Sequence, residues 1–141
     1  MTLADAETIA SSAPKFCDVR YANTAEDACK KNGGHLVTIC SEEENTFVGY
    51  MANFQNDYYN NRINTWIGLY RDPKNKNNWL WKSGETCGYR NWHQHEPNNE
   101  GGNEENVHFF SSHDQLTWND NQKEEYFYYI CERKTCPLDD Q

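Results

Sequence analysis

Six cysteines, Cys17, Cys29, Cys40, Cys87, Cys131 and Cys136, are dispersed over 141 residues without one Cys-x-x-Cys pair. Structural zinc sites and dithiol redox centres use that close spacing, so neither explains them. An even, dispersed set predicts three disulfides, a framework that persists only in an oxidising compartment. The chain is therefore expected to be secreted and extracellular. Its length suits a single core. With 36% hydrophobic but 14% aromatic residues, that core must be built from a few large rings.

The formal net charge is −9, and no block of Lys and Arg interrupts it. Nucleic acids and anionic membranes need a basic footprint, so neither is an expected partner. The strongest apolar run, residues 126–130, is far below the roughly 18–20 residues that cross a bilayer, so no membrane span is expected. Residues 1–14 have neither a basic start nor an apolar run and do not read as a signal peptide. Residues 1–15 are read as an N-terminal arm, 16–136 as one domain and 137–141 as a C-terminal tail.

Thr24 with Asp27 predicts a short helix that closes at Asn32-Gly33-Gly34. His35-Leu36-Val37-Thr38-Ile39 reads as a brief buried strand. Ser41 and Glu44 form a capping box for a second helix, with Phe47, Val48, Met51 and Phe54 as its core positions. Trp66-Ile67-Gly68-Leu69 and Trp79-Leu80-Trp81 then read as strands around a polar turn. Residues 83–106 have no period, and so long an irregular segment in a small domain is usually functional. Strand candidates follow at 107–110, 116–118 and 126–130, with Asn119-Asp120-Asn121 as a turn. Helices first and short strands later predict an α+β fold with mostly antiparallel sheets.

Oxygen donors cluster around the irregular segment: Glu96-Pro97-Asn98 inside it, Glu104-Glu105-Asn106 at its end, and Asn119-Asp120 after Trp118. Calcium takes roughly six to eight oxygens, and mixed amides and carboxylates suit it. If Glu96, Asn98, Glu105, Asn119 and Asp120 converge, part of the coordination sphere is left for a ligand oxygen. A sugar hydroxyl can give one lone pair to the cation, accept from an Asn amide and donate to a carboxylate. A cis bond at Pro97 would aim Glu96 and Asn98 the same way.

These motifs, with Gly34-His35-Leu36-Val37 and the terminal Ile130-Cys131-Glu132, resemble the C-type lectin domain family over residues 16–134. The resemblance implies the C-type lectin fold, with two helices, small antiparallel sheets and a long calcium-binding loop. It implies Ca2+ as cofactor, and Glu96, Asn98, Glu105, Asn119 and Asp120 as both metal ligands and sugar contacts. The Glu-Pro-Asn form is similar to the mannose-type signature, which implies mannose, fucose or N-acetylglucosamine as ligands. A Cys29–Cys131 disulfide is implied as well. The pairing of the other four is open: if the first and last strands pair, Cys17 with Cys136 would tie the chain ends, leaving Cys40 with Cys87.

Three departures stand out. The disulfide that the family usually places across the binding region would join positions held here by Val107 and Lys123. An auxiliary calcium site keeps Asp72 but has Lys76 where a Glu is expected, so one calcium is favoured. Finally, Glu104 and Glu105 compete for one ligand position; spacing to Asn106-Val107 selects Glu105, and Glu100 lies close by in the same loop.

His93-x-His95 lacks a convincing third ligand for zinc and reads as solvated or sugar-contacting. Trp92 is expected to anchor its loop. No nucleophile elbow or His-Glu-x-x-His helix occurs, and paired cysteines make poor nucleophiles, so an enzyme is not expected. The leading reading is a calcium-dependent lectin for mannose-type glycans. The alternative is a C-type-lectin-like protein-binding module with calcium structural or absent. Homo-oligomerisation is left open.

Overall fold

The computed structural model of the chain describes residues 19–59, 62–110 and 116–133. Along these run helix α1 (Ala22–Lys31), strand β1 (His35–Leu36), helix α2 (Glu42–Tyr59), strands β2 (Thr65–Asp72) and β3 (Asn75–Trp81), a 3-10 turn at Glu100–Gly102, and strands β4 (Asn106–Phe109), β5 (Trp118–Asn121), β6 (Tyr128–Tyr129) and β7 (Cys131–Glu132). The class is the expected α+β.

Helix α1 buries Ala22, Ala25, Glu26 and Cys29, one face at helical spacing. It starts earlier than Thr24 predicts: the Thr24 hydroxyl donates back to the Tyr21 carbonyl instead of capping the helix. The helix closes on Gly33 at φ 85°, where the Gly33 and Gly34 amides donate to Lys30 and Cys29 carbonyls. This six-to-one and five-to-two pattern satisfies carbonyls that the helix end would leave open, and only glycine takes the left-handed position without strain. Helix α2 begins as expected, with the Glu44 amide donating to Ser41 Oγ and the Glu44 carboxylate accepting from the Cys40 amide. Phe54 corrects the core reading: it is exposed and stacks on Tyr58 along the outer face, ring centroids 6.4 Å apart.

Strand β1 pairs with β7, Leu36 opposite Cys131, which joins the two ends of the described chain. The Cys29–Cys131 disulfide locks this junction across 102 residues. In the chain-entropy model a loop of that size contributes on the order of 4–5 kcal/mol. Cys40–Cys87 is the other disulfide among the described residues and ties the irregular segment to the start of α2. Cys17 and Cys136, with the proposed arm and tail, lie outside the described residues.

The larger sheet runs β3-β2-β4-β5, with β6 added in parallel to the first half of β2. Gly68 is where β2 crosses the segment after β1: its amide donates to the Val37 carbonyl, and a Cβ there would sit 2.6 Å from the Leu36 carbonyl oxygen. Val37, Ile39, Val48, Ile67, Trp81 and Trp118 fill the main core between α2 and this sheet, and a second cluster around Ala25, Leu36, Trp66 and Phe127 lies under α1. Asn119, Asp120 and Asn121 form part of β5 and not a turn. Full pairing with β4 over all four residues of β5 overrides their turn propensity.

Candidate cation and sugar site

Because Trp118 to Asn121 is a strand, its side chains alternate. Trp118 and Asp120 are both fully buried, while Asn119 and Asn121 turn their amide nitrogens toward His108, at 3.3 and 3.4 Å from its Nε2. His108 stands directly opposite Asn119 in the β4–β5 ladder.

The loop that faces β5 is fastened by backbone amides. Asp120 Oδ1 accepts from the Asn98 amide at 3.2 Å, and Asp120 Oδ2 accepts from the Asn99 amide at 2.8 Å. Asn99 sits at φ 47°, a left-handed conformation that Asn tolerates, and its Oδ1 accepts from the Glu104 amide. The Glu100 amide is shared between Asn98 Oδ1 and Glu104 Oε1. The Glu96–Pro97 bond is cis. Trp92 anchors the loop as expected, its ring 5.0 Å from Trp79 and 6.0 Å from Trp118. His93 is half-buried, with its ring 4.5 Å from Phe110 and its Nδ1 3.0 Å from Thr117 Oγ1, and it forms part of no metal cluster among the described residues.

Three carboxylates meet here. Burial, then the neighbouring Asp120 and Glu104, pushes the Glu96 carboxyl up to about 7. Burial likewise raises Glu104, and the negative charge of Asp120 adds to it against the opposing Glu100 amide. Arg71 approaches from β2: its Nη2 donates to Asp120 Oδ2 at 2.8 Å, with the side chain only 11% exposed.

Among the described residues, three buried side-chain polar atoms have no hydrogen-bond partner: Thr65 Oγ1, Glu96 Oε1 and Asn119 Oδ1. An unpaired buried oxygen costs about 1–3 kcal/mol, so each of these calls for a partner. Glu96 Oε1 lies beside the carboxylates of Asp120 and Glu104, and Asn119 Oδ1 is a hard amide oxygen on the strand that carries Asp120, donor types that suit calcium. The residues present therefore fit such a cation, although no trio of His, Cys, Asp or Glu among the described residues is already arranged as a metal cluster.

Residues 19–133 match the family model of the lectin C-type domain. The chain belongs to the C-type lectin family. It is 36% identical over 118 residues to a C-type lectin of Micrurus corallinus, covering 82% of this chain and 72% of that protein. It is 34% identical over 121 residues to a C-type lectin mannose-binding isoform of Notechis scutatus scutatus, covering 84% and 74%. Human lithostathine shares the fold with a TM-score of 0.73 at 28% identity, over 84% of this chain and 88% of that one. As a C-type lectin domain the chain is a carbohydrate-binding module and not an enzyme.

Of the residues expected at the C-type lectin site, Glu96 and Asp120 lie side by side, Asn98 is exposed with its backbone on Asp120, and Asn119 neighbours Asp120 along β5 with its amide on His108. Glu105 is exposed and lines a cavity of about 70 Å³ with Arg71, Asp72, Lys76 and Asn99. Glu104 is the buried residue of the pair and faces Asp120. The departures of this chain have local causes. Val107 is wholly buried opposite Asp120, so the position of the missing brace is filled by core packing. Asp72 is taken up by the Lys74 amide and Asn78. Arg71 and His108 carried no motif; their contributions depend on which atoms the fold sets beside them.

Proposed function

We propose that this domain binds mannose-type sugars, such as mannose, fucose and N-acetylglucosamine, through calcium held by Glu96, Asn98, Glu104, Asn119 and Asp120. The pair of unpartnered buried oxygens, Glu96 Oε1 and Asn119 Oδ1, carries this reading. Bound there, calcium would supply a Lewis-acid contact to two neighbouring hydroxyl oxygens.

The chain's own groups do the recognition. Asn98 and Asn119 offer amide hydrogens to the hydroxyl oxygens, while Glu96 and Glu104 accept the hydroxyl protons. Asn119 has two amide hydrogens, so its contact with His108 leaves one for sugar. Asp120 has a lone pair left on Oδ1 after its three bonds. The Glu-Pro-Asn order at residues 96–98 and the relative named as a mannose-binding isoform support mannose-type ligands. The two disulfides support an extracellular workplace.

One observation favours a second reading, a protein-binding module with calcium structural or absent: Arg71 already gives Asp120 a cationic partner. Chromatography on immobilised mannose separates the two. Retention in calcium with release by a chelator supports the lectin reading, and flow-through in calcium overturns it.

A further inference from the structure

Arg71 binds three of the segments that surround the site. Its Nε donates to the Glu104 carbonyl at 3.0 Å, its Nη1 to the Lys76 carbonyl at 2.7 Å and its Nη2 to Asp120 Oδ2 at 2.8 Å. Its backbone amide donates to the Glu105 carbonyl at 2.8 Å. The guanidinium plane lies over Trp79, 4.3 Å from the ring centroid. The hairpin between β2 and β3, the end of the binding loop and strand β5 are thereby joined by one rigid fork. Asp120 carries the connection onward, because its two oxygens hold the Asn98 and Asn99 amides.

We propose that Arg71 is a positioning residue that keeps the 96–105 loop folded in the absence of calcium. The proposal rests on the calcium–sugar reading only for the purpose of that loop; the ordering itself follows from the contacts. Without a cation, Glu96, Glu104 and Asp120 would repel one another and the loop would be driven apart. A guanidinium bound to Asp120 and to the Glu104 carbonyl opposes this. Lysine could restore the charge on Asp120 but not three divergent hydrogen bonds, so the fork geometry is required. Free and calcium-bound loops would then share one arrangement, and binding would not have to order the loop again.

Amide hydrogen exchange in chelator and in saturating calcium tests this with the wild-type chain, Arg71→Gln and Arg71→Lys. In chelator, the Asn98 and Asn99 amides of the wild type are expected to be protected, and both variants to lose at least about tenfold of that protection. Gly68, whose amide lies in the core on the Val37 carbonyl, is the control and should not change. Saturating calcium should restore Asn98 and Asn99 in both variants, a rescue that a general loss of stability would not show. Unchanged protection in Arg71→Gln, or full protection in Arg71→Lys, would overturn the proposal. Lost protection that calcium fails to restore, in a chain whose wild type also binds no calcium, would support the role of Arg71 and overturn the calcium reading instead.

Discussion

His108 and Asn119 face each other across the β4–β5 ladder, and the histidine decides which way the asparagine amide points. His108 Nδ1 lies 2.9 Å from the Phe109 carbonyl, which can only accept, so Nδ1 carries the proton and Nε2 is the acceptor. Burial lowers the His108 pKa to about 4, which keeps the ring neutral at physiological pH. Asn119 must then present nitrogen to the ring, and its Oδ1 is left for the site.

Replacing His108 with Leu removes that acceptor while leaving an apolar group among Trp66, Phe110 and Phe127. The Asn119 amide then loses its preferred orientation. Calcium affinity measured by isothermal titration is expected to fall about tenfold, the usual scale for removing the support behind a ligand.

Glu104 and Glu105 are adjacent but face different surroundings, buried beside Asp120 and exposed beside Lys76 respectively. Glu104→Gln is expected to weaken calcium binding on the order of 100-fold, and Glu105→Gln less than about threefold. A titration with the two effects exchanged would return the ligand role to Glu105.

That distinction shows where the sequence stops being legible. Ordered motifs such as Trp66-Ile67-Gly68-Leu69 and Trp118-Asn119-Asp120 carry the fold because each combines core rings with a specific crossing or ladder. The choice between two neighbouring glutamates depends on loop backbone at Asn99, Gly101 and Gly102, all at positive φ, which has no periodicity to read. Thr24 marks the helix start too late for a related reason: a hydroxyl can cap a helix or bond back to a carbonyl, and the helix that buries Ala22 begins before it. Arg71 sits in a polar strand end, and only the fold brings the Lys76 and Glu104 carbonyls to its fork.

Glu132 provides a pH dependence separate from the site. Burial pushes its carboxyl up to about 7, even though its Oε1 accepts from the Thr38 amide at 2.7 Å. A carboxyl raised in the folded state stabilises that state fully below the unfolded pKa, and this stability is lost as pH rises through about 7. Glu132→Gln keeps the acceptor and removes the charge. Urea unfolding in chelator should show the variant gaining on the wild type between about pH 4.5 and 7.5, by on the order of 3 kcal/mol. A constant difference across that range would contradict the assignment.

Gly68→Ala would place a methyl against the Leu36 and Val37 carbonyl oxygens, 2.6 and 2.9 Å away, both backbone and unable to yield separately. Two chain segments must part to admit it. The expected loss is about 3 kcal/mol, read from the urea midpoint with an unchanged slope.

The central claim, that calcium and sugar share one set of side chains, is tested most directly by titrating methyl α-mannoside into the wild-type chain and into Asn119→Ala, each with calcium and with chelator. The wild type is expected to bind only with calcium, and Asn119→Ala to lose measurable binding of both calcium and mannoside because one residue supplies an oxygen to the metal and an amide to the sugar. Undiminished mannoside binding by Asn119→Ala, or equal binding by the wild type in chelator, would contradict the shared site.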